Sequence, residues 1–451
     1  MLRGIRLASP AIRPLHPEKM NIAVIGSGIS GLSAAYFLAQ KHEVTLFEQD
    51  GRVGGHTNTI EINTPNGIGA VDTGWIVYNG INYPNLTALF KELEVKTQPT
   101  SMSFAVSIGD GAYEWKGSDQ VLSVFAQWTN LFKISHIRML LDILKLNKRC
   151  NALLKSGNLP KGSLGEFLDR EGFSQELRRD YLLPMAGMIW SCSPKAAAEY
   201  PADDFMRFFD SHSLFTATQQ PTWHSVVGGS NTYVKKLLSR FKGRVRLNSP
   251  VTRIRREPAH PDGTPGVWLQ FAGQADEQRF DHVICATHSD QALRLLADAS
   301  PAETEVLAGI PYSESKVVLH TDDSFLPKRR AAWASWNYTH PVSEIHDQRI
   351  SGTYWMNLLQ HIPGPVNYLV TLNPQRPIPR DKTIYEVVYH HPHYTATSQI
   401  THAKLPAIQG NGGLWWAGAW TAYGFHEDGL KSGLRAVKGI DASCLPSWTA
   451  L

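Results

Sequence analysis

The sequence predicts an α/β protein, a Rossmann-like domain with an α+β domain inserted into it. Three observations predict this. A short apolar run, Ile22-Ala23-Val24-Ile25, leads straight into the G-x-G-x-x-G of Gly26 to Gly31. Further strand and helix pieces follow in the middle and near the end of the chain. Between them lie two stretches of different texture, one helix-rich and one aromatic with alternating spacing.

The 451 residues allow two or three domains, and 42% hydrophobic content supplies a sizeable core. A net charge of +4, without a basic stripe interleaved with aromatics, gives no reason to expect nucleic acid. Cys150, Cys192, Cys285 and Cys444 are scattered, with no C-x-x-C or Cys/His ligand spacing. Neither a metal site nor a disulfide is expected, and a reducing, cytoplasmic setting fits. No apolar run is long enough to span a bilayer. Residues 1–19 hold Arg3, Arg6, Arg13 and Lys19 and lack a signal-peptide core. They read as a disordered tail, a targeting segment, or a misplaced start ahead of Met20.

The first unit is the most informative. The apolar run reads as a buried parallel strand, and Leu32 to Gln40 reads as a helix rich in good formers such as Ala34 and Ala35. Val44-Thr45-Leu46-Phe47 reads as a second strand ending at Glu48. Gly26 permits the tight turn, Gly28 lets backbone approach a pyrophosphate, and Gly31 lets helix and strand pack closely. The helix N-terminus, with Ser30 in its first turn, offers free N–H groups and partial positive charge to the phosphates. Glu48 is placed to accept hydrogen bonds from a ribose diol, which disfavours a 2′-phosphate.

The next residues, Gln49-Asp50-Gly51-Arg52-Val53-Gly54-Gly55-His56, resemble the second signature of the amine oxidase and phytoene desaturase superfamily of flavoproteins. Three more pieces resemble that superfamily in its order. Gly228-Gly229-Ser230 precedes a helix and a strand that runs to Val251. Phe280 to Thr287, containing Ala286, resembles its D-x-V-I-x-A-T strand. Leu414 to Ala419, followed by Gly424 to Gly433, resembles its C-terminal signature. The sequence departs from the pattern at Ala419, where many members carry an acid, and at Asp428, where glycine is common.

The resemblance implies a discontinuous FAD-binding domain of the glutathione-reductase and amine-oxidase type, over 20–95, 223–310 and 405–440. The substrate domain would take 96–222 as its helical part and 311–404 as its sheet, with 441–451 as a C-terminal tail. It implies non-covalent FAD held by Gly26, Gly28, Ser30, Gly31, Glu48, Gln49, Arg52, Gly54, Gly55 and His56. Asp72, Gly74, Val251, Ala286, Gly418, Ala419, His426, Glu427 and Gly429 complete that set. In amine oxidases a lysine at the start of one strand holds a water against flavin N5. Lys316 aligns with it, or is a plain surface lysine.

Residues 123–155 carry apolar side chains at near-helical spacing with Lys133, Arg138, Lys145, Lys148 and Arg149 interspersed. They read as a packed helix with a solvated face, or as a basic amphipathic helix making peripheral contact with the inner membrane face. Val71 to Asn79, Tyr83 to Leu86, Leu319 to Asp322 and Ala332 to Tyr338 resemble bacterial FAD proteins found beside cyclopropane-fatty-acyl-phospholipid synthases. This resemblance implies an oxidase or desaturase acting on a lipid or fatty acyl chain, with few essential side chains. A peroxide-releasing amine oxidase and a non-catalytic flavoprotein partner are the alternatives.

Overall fold

The computed structural model describes residues 19–117, 121–216, 220–257, 265–340 and 350–451. Most of the expected N-terminal tail lies outside them. The nucleotide-binding half is built on a five-stranded parallel sheet. Its order is Arg244–Arg246, Glu43–Phe47 (β2), Asn21–Ile25 (β1), His282–Cys285, Leu414–Trp416. Central β1 is buried from Ile22 to Ile25, as its unbroken apolar run requires. Helix α1, Ile29–Leu38, is buried along its whole length. It lies between the sheet and the C-terminal helix His426–Asp441. Small residues allow that approach: a Cβ on Gly433 would lie 2.4 Å from the carbonyl oxygen of Ser30.

The second half is a seven-stranded sheet ordered Thr383–Pro392, Tyr312–His320, Leu369–Leu372, Gly352–Trp355, Trp336–His340, Phe104–Ile108, Tyr113–Gly117. Phe104–Ile108 runs parallel to Trp336–His340, and the other pairings are antiparallel. The 96–222 segment therefore supplies two strands of this sheet before it turns helical. Its helices share an aromatic core in which the Phe205 and Phe209 rings meet at a tilt, 4.0 Å apart, and Trp190 stacks on Tyr200 at 4.3 Å.

The last eleven residues are packed, not a free tail. Cys444 is buried, and the Trp448 ring meets Phe37 edge-on at 5.7 Å. Trp448 Nε1 donates to Glu92 at 2.8 Å, on helix α2, Pro84–Glu92. An aromatic side chain with a partnered N–H is a strong anchor.

Candidate functional site

The G-x-G-x-x-G turn leaves β1 through Gly26, whose φ of +97° is open to glycine. A Cβ there would lie 2.6 Å from the carbonyl oxygen of Ala286, and one on Gly31 would lie 1.9 Å from that of Gly26. These two glycines are fixed by the protein's own backbone. Gly28 is different: a Cβ on it would meet nothing within 4 Å. It is also the N-cap of α1, with no side-chain cap, and the first turn holds no acid. The helix therefore presents uncapped N–H groups beside open space, the arrangement that suits a diphosphate.

The second loop closes on this turn. A Cβ on Gly55 would lie 3.1 Å from Gly28 Cα. Gly54 N donates to the Ser27 carbonyl oxygen at 3.0 Å and to Ser27 Oγ at 3.2 Å. Arg52 shapes the loop from within, donating to the carbonyl oxygens of Gly55 at 2.8 Å and Thr57 at 3.3 Å. Glu48, buried at the end of β2, accepts from Ser27 N at 3.0 Å, Ser27 Oγ at 2.5 Å and Asp50 N at 3.1 Å. Ser249 N donates to the Glu48 carbonyl oxygen at 2.9 Å, which brings the chain leading to Val251 alongside. Gln49 is exposed. A Cβ on Gly429 would lie 3.0 Å from Ser30 Oγ and 3.7 Å from Ala419 Cβ, so the C-terminal motif joins the same cradle. Gly418 N is held by Ser432 Oγ at 2.8 Å. An uncapped helix end, a bare Gly28 and a carboxylate at the strand end fit the phosphates and ribose of FAD.

Beyond Gly55 the cradle ends in a wall of rings. His56 stacks on Tyr389 at 4.6 Å and approaches His391 at 5.4 Å and His288 at 6.5 Å. His288 stacks in turn on Tyr312 at 4.6 Å. Tyr389 is held by Asn58 Nδ2, which donates to its hydroxyl at 3.1 Å, and by Thr73 Oγ1 at 3.2 Å. Ser289 N donates to the Tyr312 hydroxyl at 3.0 Å. Gly74 sits against this wall, where a Cβ would lie 2.1 Å from the His56 carbonyl oxygen. Burial, reinforced by neighbouring imidazoles, pushes His56 well below its ordinary value and His391 down to about 4. Burial also takes His288 to about 4. The wall is neutral at pH 7. The sequence reading did not place His288, Tyr312, Tyr389 or His391 at the site; the available signals were the histidine cluster His390-His391-Pro392-His393, which suggests a metal before it suggests a ring wall, and the alternation of Tyr389 and His391 on an aromatic strand.

Four expected site residues stand elsewhere. Lys316 is half exposed and pairs with Glu386 at 3.0 Å. It lies opposite Val388, whereas Ser315 lies opposite Tyr389, so Lys316 points to the outer face of the sheet. Asp72 is fully buried, and its carboxylate is engaged by four donors of the protein itself. It accepts from Ser230 N at 2.9 Å, Ser230 Oγ at 2.7 Å, Thr59 Oγ1 at 2.5 Å and Gln360 Nε2 at 2.7 Å. Burial outweighs those bonds and raises its carboxyl to about 6. Glu427 accepts from Asn85 N at 3.1 Å and Leu86 N at 2.9 Å, so both its oxygens cap α2. His426 buttresses the cradle from behind: it stacks on Trp75 at 4.2 Å and bonds the Tyr233 hydroxyl at 2.8 Å. Burial takes it to about 3.

Residues 29–385 match the family model described as flavin containing amine oxidoreductase. The chain belongs to this family. It is an FAD-dependent oxidoreductase. Among solved structures it resembles a CLA-producing fatty acid isomerase from P. acnes, with a TM-score of 0.63 at 16% identity over 94% of this chain and 98% of that one. It also resembles cyclohexylamine oxidase from Brevibacterium oxydans, with a TM-score of 0.65 at 16% identity over 94% and 99% of the two chains. Both likenesses concern the fold. A 4,4'-diapophytoene desaturase of Staphylococcus aureus is 54% identical over 43 residues, and that match spans only 9% of either chain.

Proposed function

We propose that this family member removes a hydride from a lipid or fatty acyl chain, as an oxidase or desaturase. Bound FAD supplies the two-electron acceptor, and oxygen or a quinone takes the electrons onward. The neutral ring wall is the observation that carries the reading. The titratable groups bearing on His56 are His391, His288, His426 and Arg52, and those bearing on His391 are imidazoles. No carboxylate bears on His56 or His391. The one that bears on the wall, Asp290, acts on His288 and Tyr312 and is paired with Arg294 at 2.7 Å. An alkylammonium substrate would find no free carboxylate at the His56 end, whereas an uncharged chain asks for none.

The side chains would then act by placement: stacked His56, Tyr389, His288 and Tyr312 exclude water and hold a carbon in position. Two of the similar proteins are named for a fatty acid and for diapophytoene, which agrees with the reading, and a third is named for cyclohexylamine, which agrees with the alternative. Anaerobic mixing of the purified yellow protein with a lipid extract and with an amine panel tests it. Bleaching of the flavin by lipid supports an acyl substrate. Bleaching by amines alone replaces it with an amine oxidase.

A further inference from the structure

The 121–156 region is not one helix. It forms two 3-10 turns, Val121–Phe125 and Trp128–Phe132, and then helix α3, Ile134–Ser156. One side of α3 is packed, with His136, Met139, Leu146 and Cys150 buried. The opposite stripe should be polar in a helix lying on a protein surface. Instead Ile134 is 78% exposed, Leu141 62% and Leu144 63%, with Ile137 between them. The preceding turn adds Trp128 at 69%, Leu131 at 50% and Phe132 at 79%. Leu131, Phe132, Ile134, Ile137 and Leu141 line an open groove of about 350 Å³.

The same stripe changes character further on, where Lys148 and Lys155 stand exposed. Arg138 and Lys145 flank it. The one acid of α3, Asp142, is turned inward and accepts from Ser174 N at 3.0 Å. The stripe therefore runs from apolar and aromatic to cationic, with no carboxylate of α3 on it.

We propose that this face docks on an anionic lipid bilayer. Trp128, Leu131, Phe132, Ile134 and Leu141 enter the acyl boundary, and Lys148 and Lys155 rest on phosphate headgroups. The polarity gradient selects a membrane over a second copy. An antiparallel helix pair would set the lysines against the partner's apolar turns, and a parallel pair would set lysine against lysine. No helix among the described residues is long and apolar enough to cross a membrane, so the contact is peripheral. The proposal stands whether or not an acyl chain is the substrate.

Sedimentation of the purified flavoprotein with vesicles is the test, using phosphatidylcholine alone and phosphatidylcholine doped with phosphatidylglycerol. The wild type should pellet with the doped vesicles and be released by salt. Trp128→Ser with Phe132→Ser should weaken binding about tenfold or more, and Lys148→Glu with Lys155→Glu should abolish the preference for phosphatidylglycerol. All four side chains are exposed, so flavin content and melting temperature should not change. A wild type that stays in the supernatant overturns the proposal, as does equal pelleting of every variant. A vesicle-indifferent dimer that Phe132→Ser converts to monomer would assign the face to a second copy instead.

Discussion

Gly28 and Gly55 face each other across the phosphate cradle: a methyl on Gly55 would lie 3.1 Å from Gly28 Cα, while one on Gly28 would point into open space. Gly28 also has an ordinary φ of −66°. Its lack of a side chain therefore serves the ligand and not the fold. Gly28→Val should fold with a melting temperature near that of the wild type yet purify colourless. Gly31→Ala, whose methyl would lie 1.9 Å from a carbonyl oxygen, should be destabilised by about 2 kcal/mol or more. Absorbance at the flavin band beside a thermal melt separates the two; a yellow Gly28→Val protein would sink the assignment.

Glu48 ties the loop after β2 to the phosphate turn through Ser27. Glu48→Gln removes a charge-assisted acceptor from two donors on Ser27. FAD affinity should fall about tenfold, and stability by about 1–3 kcal/mol. Flavin titration of the apoprotein and urea unfolding measure these two effects, and unchanged affinity would detach Glu48 from the cofactor.

Asp72 joins residues that lie far apart in the chain, and its removal should be felt in stability. Asp72→Asn places an amide donor among groups that already donate, at a cost of about 2–4 kcal/mol. Flavin per folded molecule should stay constant. Loss of flavin from a protein that melts normally would restore Asp72 to the cofactor set.

Lys316→Met should leave flavin reoxidation by oxygen unchanged, because the ammonium group pairs with Glu386 on the outer face. Stopped-flow mixing of the reduced protein with oxygen reads this directly. A rate lowered about tenfold would place the amine at the flavin after all.

Buried histidines set the pH profile of stability. His288 and His391 lie at about 4 and His426 at about 3 in the folded chain. The unfolded chain binds these protons near the ordinary value of about 6.5. Their stabilisation is therefore complete above about pH 6.5 and is lost as pH falls through the folded values. Asp72 and Asp428, both raised to about 6, act with the opposite sign: their contribution is present at low pH and lost as pH rises through about 6. The imidazole shifts are larger, so the melting temperature should climb between about pH 4 and pH 7. A falling profile in differential scanning calorimetry would show the carboxyls in control.

The first nucleotide-binding unit was legible because its signals are local. An apolar strand, three spaced glycines and a terminal acid need only one stretch of chain. The partners of Asp72 and Glu427 were not legible, because a motif gives position without partners. Asp72 meets Ser230 and Gln360 from 158 and 288 residues away. Lys316 stands at the motif's place in the sequence, but a strand's faces alternate, and a one-residue offset sends the side chain to the other side. The ring wall was invisible for a third reason: of its members only His56 stands in a signature, and His288 and Tyr389 come from distant segments that carry none.

Strand order also governs how the molecule can be made. Inner strand His282–Cys285 pairs on one side with β1, near the start of the chain, and on the other with Leu414–Trp416, near its end. The larger sheet likewise awaits Thr383–Pro392 on the flank of Tyr312–His320. A ribosome that stalls before codon 383 releases a polypeptide with neither sheet complete, its bare edges free to stick to those of other chains. Synthesis must therefore run almost to completion before either half is safe from aggregation, and truncated gene fragments should yield inclusion bodies, not separable domains.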